Sequence, residues 1–239
     1  MEENTTIDSG RKTIRKNLLT TLRESGRLGS TAFLLVLSVY CVLLSAFRLL
    51  YTGTYGYLSL NWNLFLAFFP WLLTSVAVLK KMQSRIAILV IMAVWLLFFP
   101  NCLYILTDLV HLRRIENAPL WLDLIVVLSF AWAGLCFGFL SLMDIERFMK
   151  EKFRADAKTV AILSVCMIYV AAFGVYIGRF WRWNSWDLVG NPARVAHDMF
   201  DRFTGAGHSY RVIGFTTLMG TLLNLMYFPL RYMRRNPAA

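Results

Sequence analysis

Charge is scarce in this 239-residue chain: 16% of positions are charged and 58% are hydrophobic. Soluble domains carry about 25% charge and about 45–50% apolar residues. With a mean hydropathy of +0.54, a soluble core of this size could not hide the apolar surface, so an ordinary soluble fold is excluded. Cysteine is sparse as well. Cys41, Cys102, Cys136 and Cys166 show no CxxC spacing, which argues against a disulfide scaffold or a thiolate zinc site. They read as small packing residues. No GxSG accompanies the arginine–tryptophan stretch, so an intramembrane serine protease lacks its nucleophile motif. No cleavable signal peptide is evident, because about 27 mostly polar residues precede the first apolar run and no small-residue cleavage site follows it. The first span therefore reads as an uncleaved anchor.

What is present is a series of apolar runs long enough for a hydrocarbon layer about 30 Å thick at 1.5 Å rise per residue. Six are expected, near Leu28 to Phe47, Leu64 to Leu79, Ile86 to Tyr104, Leu120 to Leu142, Thr159 to Ile177 and Val212 to Tyr227. Pro70 and Pro100 fall inside two of them and predict tilts or breaks. The net charge of +11 is unevenly spread. With the N-terminus inside, 17 of the 25 basic residues fall on the cytoplasmic side and eight outside. The positive-inside rule then places both termini in the cytoplasm, and topogenesis with anionic lipid accounts for most of the excess. No nucleic-acid partner is expected. The predicted fold is all-α, a polytopic membrane bundle of six transmembrane helices. It comprises a basic segment at 1–27, a membrane domain at 28–230 and a basic tail at 231–239. No charged residue is predicted near a span centre, which disfavours a proton-coupled transporter.

Two polar stretches interrupt this apolar pattern. Gly178 to Asp187 reads GRFWRWNSWD, too polar to continue a span and too aromatic for an ordinary loop. Tryptophan favours the headgroup level, and arginine there meets phosphate, a carboxylate or backbone carbonyls. Arg179 and Arg182, at i, i+3 spacing, are expected on one side of the emerging fifth span. Phe98 to Arg114 reads FFPNCLYILTDLVHLRR. A helix continuing beyond Pro100 would place Asn101, Tyr104, Asp108 and His111 within a sector about 80° wide. Pro100 is expected in the first turn of a new helical segment. Asp108 and His111 form a DxxH pair that could ligate a metal or orient the imidazole. Between spans five and six, Asn191-Pro192 predicts a helix start, followed by a short amphipathic helix along the outer interface.

The chain resembles a bacterial family of multispan membrane proteins known as domain of unknown function 1361. The resemblance rests on NLFLAFFPWLL at Asn63 to Leu73, WLLFFPNCLYILTDLVHL at Trp95 to Leu112, LSFAWAGLCFGFLSL at Leu128 to Leu142, and FGVYIGRFWRWNSWDL at Phe173 to Leu188. It implies a bacterial cytoplasmic (inner) membrane location and no established activity or cofactor. Cys102 stands where the family pattern suggests a small residue such as alanine, which speaks against a special thiol role.

Two functional classes fit. The first is recognition or scaffolding, in which Asn101, Tyr104, Arg113, Arg114, Arg179, Arg182, Trp183 and Asn184 hold an anionic lipid headgroup or a membrane protein partner. The second is a lipid- or glycan-modifying enzyme of the outer leaflet, with Asp108, His111 and Asp187 as acid, base or metal ligands. Both require the two polar stretches to converge. A transporter ranks third.

Overall fold

A computed structural model describes residues 20–23, 25–112, 119–183, 190, 193, 197 and 208–235. The apolar runs fold as α1 (Leu28–Thr52), α2 (Ser59–Leu79), α3 (Arg85–Tyr104), α4 (Leu120–Phe153), α5 (Ala157–Tyr176) and α6 (His208–Arg235). Six helices are long and apolar enough to cross a bilayer, and no strand occurs among the described residues. Several helices outrun the hydropathy. α4 continues to Phe153 rather than stopping at Leu142, and α6 extends past Tyr227 to Arg235. Charged side chains at the ends lower a hydropathy window without weakening the helix. With six crossings, the start of α1 and the end of α6 fall on one side, the terminal face; the opposite side is the distal face.

α4 is the central element. Its apolar stretch is 61% buried, against 22% for α1 and α6, and it packs against α1, α2, α3 and α5. Lipid is as apolar as leucine, so helices associate in a membrane through close van der Waals packing at small residues. Gly134 and Gly138 supply that surface on α4. A Cβ at Gly134 would lie 2.5 Å from the Cys102 carbonyl oxygen, and one at Gly138 2.9 Å from the Cys102 Cβ. Cys102 is completely buried, and its thiol meets the Ala67 carbonyl of α2 at 3.2 Å. It therefore sits where α2, α3 and α4 converge, as a packing residue. The Trp95 indole also donates to the Ser141 hydroxyl at 2.9 Å, joining α3 to α4.

Pro100 does not begin a new segment. It lies inside a continuous α3, where its ring fits against Gly174 of α5; a Cβ there would come within 2.7 Å of the Pro100 Cγ. Gly220 plays the same part between α5 and α6, because an added Cβ would collide with the Tyr169 ring.

Ion pairs close both ends of the bundle. At the terminal face Arg27 meets Asp144 at 2.8 Å and Arg231 meets Glu146 at 2.8 Å. At the distal face Arg48 meets Asp123 at 2.9 Å and Arg179 meets Asp108 at 2.7 Å. Asp123 and Glu146 both lie on α4, separated by about 35 Å at 1.5 Å rise per residue, just over the ~30 Å hydrocarbon thickness. The charges thus bracket the apolar layer, and the span centres stay free of them. On the bundle perimeter, Leu35, Val36, Leu43 and Leu50 of α1 are exposed, as expected of side chains facing lipid.

Outside the spans, Asp156 caps α5, accepting from the Lys158 and Thr159 backbone N–H groups at 3.1 and 3.3 Å. The Thr159 hydroxyl, then these amides, hold its carboxyl below the ordinary aspartate value. A depressed folded-state pKa gives stability that is present above the unfolded value and lost as pH falls through the folded one. Asp156→Ala is therefore expected to lower the melting temperature at neutral pH, with the difference from wild type closing as the pH drops below the usual aspartate range. Thermal melts across pH check this; a gap that persists in acid would assign the effect to something other than the charged cap.

Candidate functional site

At the distal end α3 changes period. After Tyr104 the chain tightens into a 3-10 helix, Ile105–His111, so the α-helical spacing expected to carry the polar face onward from Asn101 and Tyr104 does not hold past Tyr104. Asn101 donates to the Phe98 carbonyl of its own helix at 3.0 Å. Tyr104 and Asp108 still point together, toward α5. There the helix widens into a π-helical turn, Ile177–Trp181, and from it Arg179 reaches across. Its Nη1 donates to Asp108 Oδ1 at 2.7 Å and to the Tyr104 hydroxyl at 3.1 Å, while Nη2 donates to the Thr107 carbonyl at 3.0 Å. The guanidinium also lies 5.3 Å from the centre of the Tyr104 ring. Asn63 of α2 donates to the other oxygen of Asp108 at 3.3 Å. Both Asp108 oxygens are thus engaged, and three elements are tied at one carboxylate.

Arg182 does not share a side with Arg179. It ends the π turn in the left-handed region at φ 59° and is exposed. Trp183 is half-buried against a cluster of Tyr176, Ile177, Trp181 and Val212. The His111 side chain, Arg113, Arg114, Asn184 and Asp187 lie outside the described residues, as does most of the segment before α6; Gly190, Ala193 and His197 are helical. Among the described residues no three His, Cys, Asp or Glu side chains gather as metal ligands would.

A second distal cluster escaped the sequence reading. Arg48 and Asp123 are almost completely buried. Arg48 Nη1 donates to the Thr54 hydroxyl at 2.8 Å, and the guanidinium lies 4.7 Å from the Tyr57 ring centre. Burial, then the Asp123 carboxylate, push the Tyr57 phenol above its ordinary value; Arg48 opposes them, and Asp108 adds a smaller push. Tyr57 lies against the Arg48 guanidinium. Its hydroxyl and Arg48 Nη2 are buried without hydrogen-bond partners, two donors able to satisfy an acceptor oxygen. The only sequence signal was a lone arginine near one span end and a lone aspartate near another; nothing in the spacing paired them.

Beside the Arg179 clamp, between the π turn and α6, opens a recess of about 560 Å³ lined by Tyr176, Phe180, Trp181, Tyr210, Arg211 and Phe215. Tyr176 organises the wall, packing on Phe180 at 4.6 Å, edge-on to Trp181 at 5.7 Å, and against Phe215 at 5.5 Å. Arg211 is exposed at its rim. An aromatic wall with a cation at the mouth suits a ligand that is apolar at one end and anionic at the other.

Six apolar helices, closed by buried ion pairs at both ends, define a polytopic integral membrane protein. The family model described as "Protein of unknown function (DUF1361)" matches residues 62–226, and the chain belongs to that family. The match runs from α2 into α6 and includes the Arg179–Asp108 clamp. No curated protein and no solved structure matches the chain.

Proposed function

We propose that the protein is a recognition module for an anionic lipid headgroup, working at the distal face of a bacterial cytoplasmic membrane. Both termini are cytoplasmic in this reading, so the distal face meets the outer leaflet. The observation that carries it is the aromatic recess with Arg211 at its rim. Arg182, exposed at the end of the π turn one residue after the lining Trp181, adds a second cation for a phosphate or carboxylate. Arg179 has a different part: it positions the π turn, and through it Trp181, by holding Asp108.

Native mass spectrometry of lipids retained by the purified protein tests this division of roles. Arg211→Gln with Arg182→Gln is expected to lower retention of one anionic lipid about tenfold, a change of about 1.4 kcal/mol in binding, with the melting temperature unchanged. Equal retention by wild type and this double variant would overturn the reading. Reporter fusions after Ala118, Asn191 and Asn236 test the orientation, with external, external and cytoplasmic readouts expected in that order. A reversed pattern would place the recess at the inner leaflet.

A further inference from the structure

At the terminal face two donors are buried without partners: Arg27 Nε and the Trp71 indole Nε1. The residues are only 6% and 7% exposed, so water does not reach these atoms freely, and unpaired buried donors are disfavoured. They are neighbours, with the Arg27 guanidinium 5.5 Å from the Trp71 ring centre. The other nitrogens of Arg27 are engaged, Nη1 with Asp144 and Nη2 with the Ser75 hydroxyl, each at 2.8 Å. One turn along α1, Thr31 Oγ1 is also buried without a partner.

From this point a recess opens toward the terminal face and a groove runs into the membrane layer. The recess, about 360 Å³, is lined by five cations, Arg27, Arg147, Lys150, Arg231 and Arg234, and by three carboxylates, Asp144, Glu146 and Glu151. The carboxylates are already engaged. Asp144 accepts from Arg27 and from Thr74, Glu146 from Arg231, Tyr227 and Ser164, and Glu151 from Arg147. Cations outnumber carboxylates in the lining by five to three. Arg234 Nη1 faces the Met143 thioether at 3.4 Å, a weak acceptor for a guanidinium.

The groove lies between α1 and α2, holds about 420 Å³, and is lined by Leu34, Leu35, Ser38, Phe65, Phe68 and Trp71 among others. Along α1 it reaches from Thr31 to Val42, about 16 Å at 1.5 Å rise per residue. That is half of a hydrocarbon layer about 30 Å thick, the depth of one leaflet. Leu35 and Phe65 are 65% and 55% exposed, so the groove is open to the bilayer along its side. Volume over length gives a cross-section of about 26 Å², the width of one extended hydrocarbon chain.

We infer that recess and groove form one site for an anionic glycerophospholipid of the leaflet at the terminal face. Its phosphate lies in the cationic recess, one acyl chain fills the groove, and ester oxygens at the junction accept from Arg27 Nε and Trp71 Nε1. This site is on the opposite face from the recess beside Arg179, and it stands or falls independently of it.

The test uses the full-length protein in vesicles of equal parts phosphatidylcholine and phosphatidylglycerol, the phosphatidylglycerol carrying a photoreactive diazirine in one acyl chain. Adducts are expected to concentrate on peptides covering residues 31–42 and 61–71, and Ser38→Phe, which fills the groove, is expected to displace them. In native mass spectrometry the exposed-side double variant Arg147→Gln, Arg234→Gln is expected to retain about tenfold less phosphatidylglycerol, with phosphatidylcholine unchanged. Adducts spread evenly round the bundle, or equal retention of the two lipids by wild type, would overturn the inference; both readouts use the native sequence and need no variant to fold. Crosslinking of the basic N-terminal segment into the recess, with phosphatidylglycerol adducts absent, would overturn it as well.

Discussion

Asp123→Ala is expected to lower unfolding stability by about 3–5 kcal/mol, the range seen when a buried ion pair loses one partner. The reason is what remains behind. Arg48 is 1% exposed. Without the carboxylate it would keep the Thr54 contacts of Nη1 and the face of Tyr57. A cation–π contact contributes about 2 kcal/mol or little more even when desolvated, too little to hold an uncompensated charge. Removing both charges together has a different outcome, because it also removes the desolvation penalty. Arg48→Met combined with Asp123→Leu is therefore expected to recover most of the loss. Denaturant-induced unfolding of Arg48→Met, Asp123→Leu and the double variant measures this, with Asp123→Ala alongside. If the double variant is no better than the sum of the singles, the pair contributes no coupling and the argument fails. Tyr57→Phe sharpens the result: removal of an unpartnered hydroxyl is neutral, whereas a loss above about 1 kcal/mol would reveal an acceptor bound to it.

The membrane architecture was legible in the sequence because a bilayer makes a strong demand on composition: an apolar run either spans about 30 Å or does not. All six spans were recovered, and the second run, expected from Leu64, begins at Ser59 in the structure. The ends were less legible. Asp144 and Glu146 lie beyond the apolar limit of the fourth run, yet they are held within α4 by Arg27, which precedes α1, and by Arg231 of α6. No local signal carries such a pairing, since it joins positions 117 and 85 residues apart. The candidate site was legible in its composition and not in its geometry. Arg179, Asp108 and Tyr104 were all singled out and do meet, but the projection along the third span assumed an α-helical period of 100° per residue throughout. The chain departs from it twice, tightening to 3-10 after Tyr104 and widening to π after Tyr176. These two irregularities bring Arg179 and Asp108 into contact, and hydrophobic periodicity does not register them. Asn63, in the sequence a polar residue before an apolar run, becomes the third anchor only through the packing of α2 against the 3-10 helix.

Arg179→Gln is expected to destabilise the protein by about 3 kcal/mol while leaving the distal recess able to bind in the molecules that remain folded. The side chains of Arg179 and Asp108 are each 12% exposed, which places the effect at the lower end of the range for a broken buried pair. Three hydrogen bonds and a ring contact are lost together, and Asp108 keeps only the donor from Asn63. Arg179→Lys separates charge from shape. An ammonium restores a cation near Asp108, but it lacks the planar fork that reaches Asp108 and Tyr104 through one nitrogen and the Thr107 carbonyl through the other, so only part of the stability is expected to return. Asp108→Asn keeps an acceptor for Arg179 and is expected to lose about 1–2 kcal/mol, less than Arg179→Gln, because the contact survives without its charge assistance. Thermal melts in a single detergent rank the three variants, and lipid retention per folded molecule is read alongside. The order expected from mildest to most severe is Asp108→Asn, Arg179→Lys, Arg179→Gln. An Arg179→Gln protein that melts with the wild type and has lost its lipid would reverse the assignment, making Arg179 a ligand contact and not the clamp that sets the π turn.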